Sequence, residues 1–347
     1  MKVINAMFSR GLGGIEQVFL DYNHALNLAH MHVIPVVHPK AQVRDKIYGH
    51  YEAISNFNQY DPFAIFKLRK LIARENPQCI ITHGNRATQL FRKATNNVPI
   101  IAVCHNYKFK PLIGADAIIA ITQDLKKHLI HAGQPKDKIY HITNMISFPE
   151  NTQFIEPEIS KVPVLGFMGR LVAKKGTAMF LESLKILKDK KIKFKAQIAG
   201  DGEEADNLRK LTRKLRLDKE VEFLGWVDDK ENFFSNIDIF CIPSHHEPFG
   251  LVLLEAFLHS KPIVTTSSEG PSEIAKHKRD ALFSSLDSPN EFADNILLLI
   301  HNHKLAKKLA SSGFETLQKY SAWNVSRKLL LALEEIQYKK ITCATDL

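Results

Sequence analysis

Cysteine is scarce: four in 347 residues, at positions 79, 104, 241 and 343, with no close pairing. That excludes a disulfide-stapled secreted scaffold. Cys79, Cys104 and Cys241 sit in apolar, strand-like runs, the setting of buried free thiols in a reducing compartment, so a cytoplasmic location is expected. No apolar run approaches the ~18 residues of a membrane span. The start, Met1-Lys2-Val3-Ile4-Asn5-Ala6-Met7, is too short and interrupted for a signal peptide and reads as a first strand. A clear Asp-x-Asp metal motif is missing; Asp201-Gly202-Glu203 approximates one but lies in a strand-to-helix turn, where capping accounts for it. Repeats and low-complexity tracts are absent. So are a recognition helix, an RNA-binding signature and an aromatic stacking series, which leaves nucleic-acid binding with charge alone in its favour.

What is present is the composition of a soluble globular protein, 45% hydrophobic and 24% charged, with enough length for two ordinary domains. The net charge of +10 is uneven: residues 1–150 hold 18 Lys and Arg against 10 Asp and Glu, and the rest is nearly balanced. A basic domain suits an anionic partner, though a merely soluble basic surface explains the charge equally well. Strand candidates at 3–7, 33–37, 79–82, 100–104, 117–121 and 139–142 alternate with helical patterns. A second series follows at 164–168, 195–199, 221–224, 237–242 and 262–265. Such alternation predicts α/β architecture with parallel sheets covered on both faces. Residues 148–163, rich in Pro and Glu, read as the linker between domains at 1–150 and 151–322. A last helical pattern, about 323–340, is placed back on the first domain. Ligands of open parallel sheets bind at the carboxyl ends of the strands, so the informative loops follow strands, and the cleft between two such domains is the expected site.

The densest loop is His246-Glu247-Pro248-Phe249-Gly250-Leu251, which leads into a helix carrying Glu255. A helix N-terminus opened by glycine presents bare N–H groups and a positive dipole end, which bind phosphate. Two acceptor-only carboxylates beside it suit hydroxyl groups, so the pattern points to a nucleotide sugar. The loop Gly169-Arg170-Leu171-Val172-Ala173-Lys174-Lys175-Gly176 adds two cations able to neutralise a diphosphate without a metal. After the first strand, Ser9-Arg10-Gly11-Leu12-Gly13-Gly14 lets the backbone approach a ligand, but it lacks the G-x-G-x-x-G spacing and a plain tight turn explains it as well. His83 and His105 each end a strand of the basic domain, where imidazole can hydrogen-bond a substrate hydroxyl or move a proton.

Together these segments resemble the family 4 retaining glycosyltransferases of the GT-B architecture. The resemblance rests on Pro243-Ser244, Glu247-Pro248-Phe249-Gly250-Leu251, Glu255-Ala256 and Lys261-Pro262-Ile263-Val264. Gly169-Arg170-Leu171 with Lys175-Gly176, Ala199-Gly200-Asp201-Gly202-Glu203 and the Gly13-Gly14 loop support it. It implies two Rossmann-like doubly wound domains facing a central cleft. It also implies that Glu255 binds ribose, Glu247 contacts the donor sugar, and the backbone of Phe249, Gly250 and Leu251 holds the diphosphate with Arg170 and Lys175. His105 matches the family histidine near the sugar, Gly13 and Gly14 border the phosphates and the acceptor, and His83 and Arg10 are assigned to the acceptor. No metal and no cofactor beyond the nucleotide sugar are expected. Three departures from the family pattern are Ser260, Asn144-Met145 and Arg279-Asp280-Ala281.

The implied reaction moves a sugar from a nucleoside diphosphate to a hydroxyl of a glycan or lipid-linked acceptor, with retention, in lipopolysaccharide or other surface polysaccharide synthesis. The segment Glu269-Gly270-Pro271-Ser272-Glu273-Ile274 resembles members that extend such glycans. The basic run at 66–74 admits contact with the anionic inner face of a cytoplasmic membrane, although a sheet-covering helix with a solvated edge describes that segment better. A nucleotide-sugar epimerase of the same architecture is the alternative enzyme. A nucleic-acid-binding protein is the remote one.

Overall fold

The computed structural model describes residues 1–345, which divide into two compact units, Met1–Phe148 with the C-terminal stretch from Lys319 onward, and Pro149–Gln318. In the first unit the order is β1 (Lys2–Met7), α1 (Gly14–Leu28), β2 (His32–Val37), β3 (Glu52–Ala53), α2 (Pro62–Glu75), β4 (Cys79–His83), α3 (Asn85–Ala94), β5 (Ile100–Cys104), β6 (Ala117–Ala120), α4 (Gln123–His131) and β7 (Ile139–His141). The strands lie side by side as β3-β2-β1-β4-β5-β6-β7, and every pairing is parallel. All five residues of β4 and of β5 are buried, as strands covered on both faces must be.

The second unit runs β8 (Val164–Met168), α5 (Thr177–Asp189), β9 (Lys195–Ala199), α6 (Ala205–Lys214), β10 (Val221–Gly225), α7 (Lys230–Ser235), β11 (Ile239–Ile242), α8 (Leu251–Leu258), β12 (Ile263–Thr266), α9 (Glu269–Ile274), β13 (Leu282–Ser284), α10 (Pro289–His301) and α11 (His303–Leu317). Its sheet order is β10-β9-β8-β11-β12-β13, again parallel throughout. The core beneath it is built from Phe167, Phe180, Leu184, Ile198, Ile239, Phe292 and Ile296. The last helix, α12 (Ala322–Thr345), belongs to the first unit: it packs against α1, and Lys340 pairs with Asp116 at 2.6 Å.

Each sheet reverses its strand order once, between β1 and β4 and between β8 and β11. Crevices of doubly wound sheets open at such points, so the loops after these four strands hold the functional groups. Short elements escaped the sequence reading: β3, α7, α9 and β13 are six residues or fewer and carry no periodic pattern. The strand read at 237–242 begins at Ile239, because the Asp238 carboxylate turns away to accept the Val164 amide at 2.7 Å and the Ser160 hydroxyl at 3.1 Å.

Two of the three departures from the family pattern are accommodated locally. Ser260 adopts a left-handed φ of 55°, and its hydroxyl accepts the Ile155 amide at 3.0 Å. Asp280 is buried, accepting the Lys276 amide at 2.9 Å and the Thr316 hydroxyl at 3.1 Å.

Candidate active site

Glu247 lies in the loop after β11 and is 8% exposed; its carboxylate pairs with the Lys175 ammonium from the loop after β8. This pair therefore bridges the switch point of the second sheet. The two loops meet so closely because of Gly176. It sits at φ 66°, and a Cβ there would lie 1.9 Å from the Pro243 carbonyl oxygen. A Gly176→Ala protein would incur roughly 1–2 kcal/mol for the left-handed backbone alone. The clash adds to that, so a lower melting temperature and weaker donor binding are expected, measurable by calorimetry with and without nucleotide.

Gly250, at φ 96°, forms the N-cap of α8 and supplies no side-chain cap. The Leu253 amide turns back to the Gly250 carbonyl at 2.9 Å, and the helix start before it has no side-chain cap, a setting that suits an outside acceptor. Phe249 beside it is buried, and Leu251 begins the helix. Glu255 projects from the second turn of α8 and pairs with Lys230 of α7 at 2.5 Å. Arg170 is exposed at the end of β8. A second carboxylate, Glu269 at the start of α9, accepts the Glu247 amide at 3.1 Å and contacts His246 Nδ1 at 2.7 Å. Burial pushes the Glu269 carboxyl up, but hydrogen bonds from its own amide, His246 and the Glu247 amide outweigh that and hold it below its ordinary value. The sequence reading missed Lys230 and Glu269. Both lie in short elements whose pairing depends on sheet order.

In the first unit, Gly13 is the N-cap of α1 and Gly14 its first residue, with no side-chain cap. His83 and His105, at the ends of the adjacent strands β4 and β5, contact each other: His83 Nδ1 lies 3.1 Å from His105 Nε2. His83 Nε2 lies 3.0 Å from Asn5 Oδ1. The Asn5 amide orientation is fixed, because its Nδ2 donates to the Phe19 carbonyl at 3.1 Å and to Asn23 Oδ1 at 2.8 Å. His83 must then donate from Nε2, which makes its Nδ1 an acceptor for the His105 Nε2–H. The remaining lone pair of the relay is on His105 Nδ1.

Burial and the neighbouring His105 push His83 well below its ordinary pKa, and burial brings His105 down to about 4. Both rings are neutral near pH 7, so His105 can accept a hydrogen bond but has no acid proton to give. The acceptor contact expected of His83 is corrected here. The residue is 2% exposed, wedged edge-on against Phe19 and Tyr22, and both its nitrogens are occupied. Its place is behind His105. Arg10, in the loop after β1, is exposed and faces His38 Nε2 at 3.3 Å. A cavity of ≈ 960 Å³ in the same unit, lined by Gln17, Asp21, His24, His32 and Glu75 among others, contains none of the expected site residues.

Two parallel doubly wound units with loop-borne cations and an uncapped helix at their switch points define the GT-B class of glycosyltransferase. The chain belongs to the family 4, or group 1, glycosyltransferases: the model for glycosyl transferases group 1 matches residues 149–316 and that for glycosyltransferase family 4 matches residues 12–148. Two curated relatives from Rhizobium meliloti span nearly its full length. The lipopolysaccharide core biosynthesis glycosyltransferase LpsE is 28% identical, covering 91% of this chain and 94% of its own; LpsD is 26% identical over 92% and 93%. Among solved structures, Anabaena HepE in complex with UDP-glucose superposes with a TM-score of 0.84 at 20% identity, covering 96% of this chain and 100% of its own. The lipopolysaccharide outer core galactosyltransferase WaaB gives 0.77 at 17%, covering 96% and 99%.

Proposed function

We propose that this glycosyltransferase takes its sugar from a uridine diphosphate donor and transfers it, with retention, to a hydroxyl of a lipid-linked core glycan. The observation that carries the reading is the Lys175–Glu247 pair spanning the β8 and β11 loops beside the uncapped start of α8. Arg170, Lys175 and the amides at Phe249, Gly250 and Leu251 would receive the diphosphate, meeting its developing charge without a metal. Glu255 takes the ribose hydroxyls and Glu247 the sugar. His105, neutral and bonded through Nε2, offers Nδ1 to a sugar hydroxyl. With no acid on that ring, the departing phosphate itself takes the acceptor proton in a front-face displacement. The names of the relatives and the complexes of HepE support the donor and the glycan class.

The test is incubation with a panel of nucleotide sugars and lipid-linked core acceptors, with the anomeric configuration of the product read by NMR. An inverted linkage would overturn retention. An epimerised sugar released without any acceptor would assign the epimerase reaction instead.

The acceptor's lipid places the enzyme at the cytoplasmic membrane face, and α2 has a surface suited to it. Its inner side buries Ala64, Leu68 and Leu71. The outer stripe carries Phe63 (77% exposed), Phe66 (55%), Lys67 and Lys70, and Phe57 and Tyr60 stand exposed just before it. Lys70 lies over the Phe66 ring at 4.7 Å, and Lys93 over Tyr60 at 4.5 Å. Aromatic rings interleaved with these lysines suit an anionic headgroup layer. At about 1 kcal/mol per surface cation, Lys67→Ala with Lys70→Ala should weaken binding to phosphatidylglycerol vesicles by about ten-fold or more. Equal sedimentation of the variant and the parent chain would remove the membrane contact.

A further inference from the structure

The first unit holds a cluster of cations that the donor chemistry does not use. Arg10 follows β1, His38 and Lys40 follow β2, and Arg86 lies in the first turn of α3 after β4. These three strands are neighbours, in the order β2-β1-β4. Arg44 joins them from the short 3-10 turn Gln42–Lys46, which is tied to the Arg10 loop by a bond from the Gln42 amide to the Arg10 carbonyl at 3.3 Å. Arg44 Nε donates to the Ala41 carbonyl at 3.0 Å and Arg86 to Asn56 Oδ1 at 3.4 Å. Among the described residues, none of the four cations Arg10, Lys40, Arg44 and Arg86 has a carboxylate within ion-pair distance, although Glu16 and Asp45 lie on the adjoining elements.

His38 shows what the cluster is missing. It is 2% exposed, and its Nδ1 accepts the Lys40 amide at 3.0 Å. Burial first, then Arg10, Arg86, Lys40 and Arg44, hold its pKa below the ordinary value, so the ring is neutral. A neutral ring that accepts at Nδ1 carries its proton on Nε2. The atom facing that Nε2–H is a guanidinium nitrogen of Arg10, 3.3 Å away. Two donors therefore converge with no acceptor between them, one of them on an almost wholly buried side chain. An oxyanion satisfies both, and the surrounding cations suit its charge.

We propose that Arg10, His38, Arg44 and Arg86, with Lys40, form an anion subsite that holds a phosphate or carboxylate group of the acceptor glycan. The assignment to the acceptor rests on the transferase reading above; the anion subsite itself does not. It deepens that reading by requiring that the accepted glycan be charged near the hydroxyl that is glycosylated. Selection then favours a phosphorylated or acidic sugar over its neutral counterpart.

The experiment is a titration of the full-length, histidine-¹⁵N-labelled protein with inorganic phosphate at constant ionic strength. The His38 ring signal is assigned by its loss in His38→Gln. A saturable shift is expected, with affinity about ten-fold lower or worse in Arg10→Ala and in Arg86→Ala. Glucose 1-phosphate should reproduce the shift and glucose should not. The Lys175→Ala protein, weakened for the donor diphosphate, should keep the full response. An unsaturable response, equal affinity in Arg10→Ala, an equal effect of glucose, or loss of the shift in Lys175→Ala would each overturn the subsite. Failure of the parent chain to bind any nucleotide sugar would overturn the transferase reading and leave the phosphate response in place, so the two failures are told apart.

Discussion

Replacing Lys175 with alanine should lower the rate of sugar transfer by about 10²–10³-fold, the usual loss when one preorganised charge is removed from a developing oxyanion. It should also destabilise the protein. Lys175 and Glu247 are both largely enclosed, with side chains 20% and 11% exposed, and breaking such a pair from one side strands the other charge. One-sided breakage of buried pairs costs roughly 3–5 kcal/mol, with the partial exposure here placing it at or below the lower end. The two effects separate in a double variant. Adding Glu247→Gln to Lys175→Ala removes the stranded carboxylate, so the melting temperature should recover while transfer stays below that of Glu247→Gln alone, which keeps Lys175. Kinetics and calorimetry on the four proteins of this cycle check it. Recovery of transfer along with stability would reduce Lys175 to a structural counter-ion and remove it from the diphosphate.

The donor loop could be read from sequence because its chemistry is contiguous. Glu247, Gly250 and Glu255 lie within one strand–loop–helix segment, and their spacing alone sets a carboxylate on each side of a helix start. Eleven of the thirteen strands among the described residues were legible for a similar reason: each is an apolar run, and parallel sheets covered on both faces need such runs. What stayed hidden are pairings that depend on which strand ends adjoin. Lys230 reaches Glu255 only because α7 precedes β11, and Glu269 reaches Glu247 only because β12 lies beside β11. His83 was visible as a strand-end histidine, but not its enclosure by Asn5 of β1 and by Phe19 and Tyr22 of α1, elements far from it in sequence. His38 gave no signal at all: one of 16 histidines, it acquires meaning only from the arginines gathered around it.

The second large effect is expected at His83, which is buried behind His105 and would act through that ring. Its Nδ1 fixes the proton of His105 on Nε2, and Asn5 in turn fixes His83. In His83→Phe the ring is retained but the acceptor is lost, so His105 is free to adopt either tautomer or to turn. Transfer should fall by about 10²-fold, within the range seen when a catalytic hydrogen bond loses its geometry. The fall should appear in kcat, while donor KM changes little, because the proposed diphosphate contacts all lie in the other unit. Histidine ¹⁵N shifts give an independent readout: His105 should report a single Nε2–H tautomer in the parent chain and a mixture in the variant. The relay also sets an acid limit. Both rings titrate below their unfolded value of about 6.5, so the unfolded chain binds more protons wherever the pH lies between that value and the depressed ones. Stability contributed by the pair is therefore complete above pH ~6.5 and is lost progressively as the pH falls towards about 4, where His105 itself protonates. The sign is opposite to that of a histidine gaining a carboxylate partner. Among the described residues, the groups that face these rings are Asn5, Phe19, Tyr22 and each other, and none is a carboxylate. Melting temperature measured against pH should thus fall less steeply on acidification in His83→Phe than in the parent chain. An unchanged slope together with unchanged tautomers would remove the relay from the mechanism.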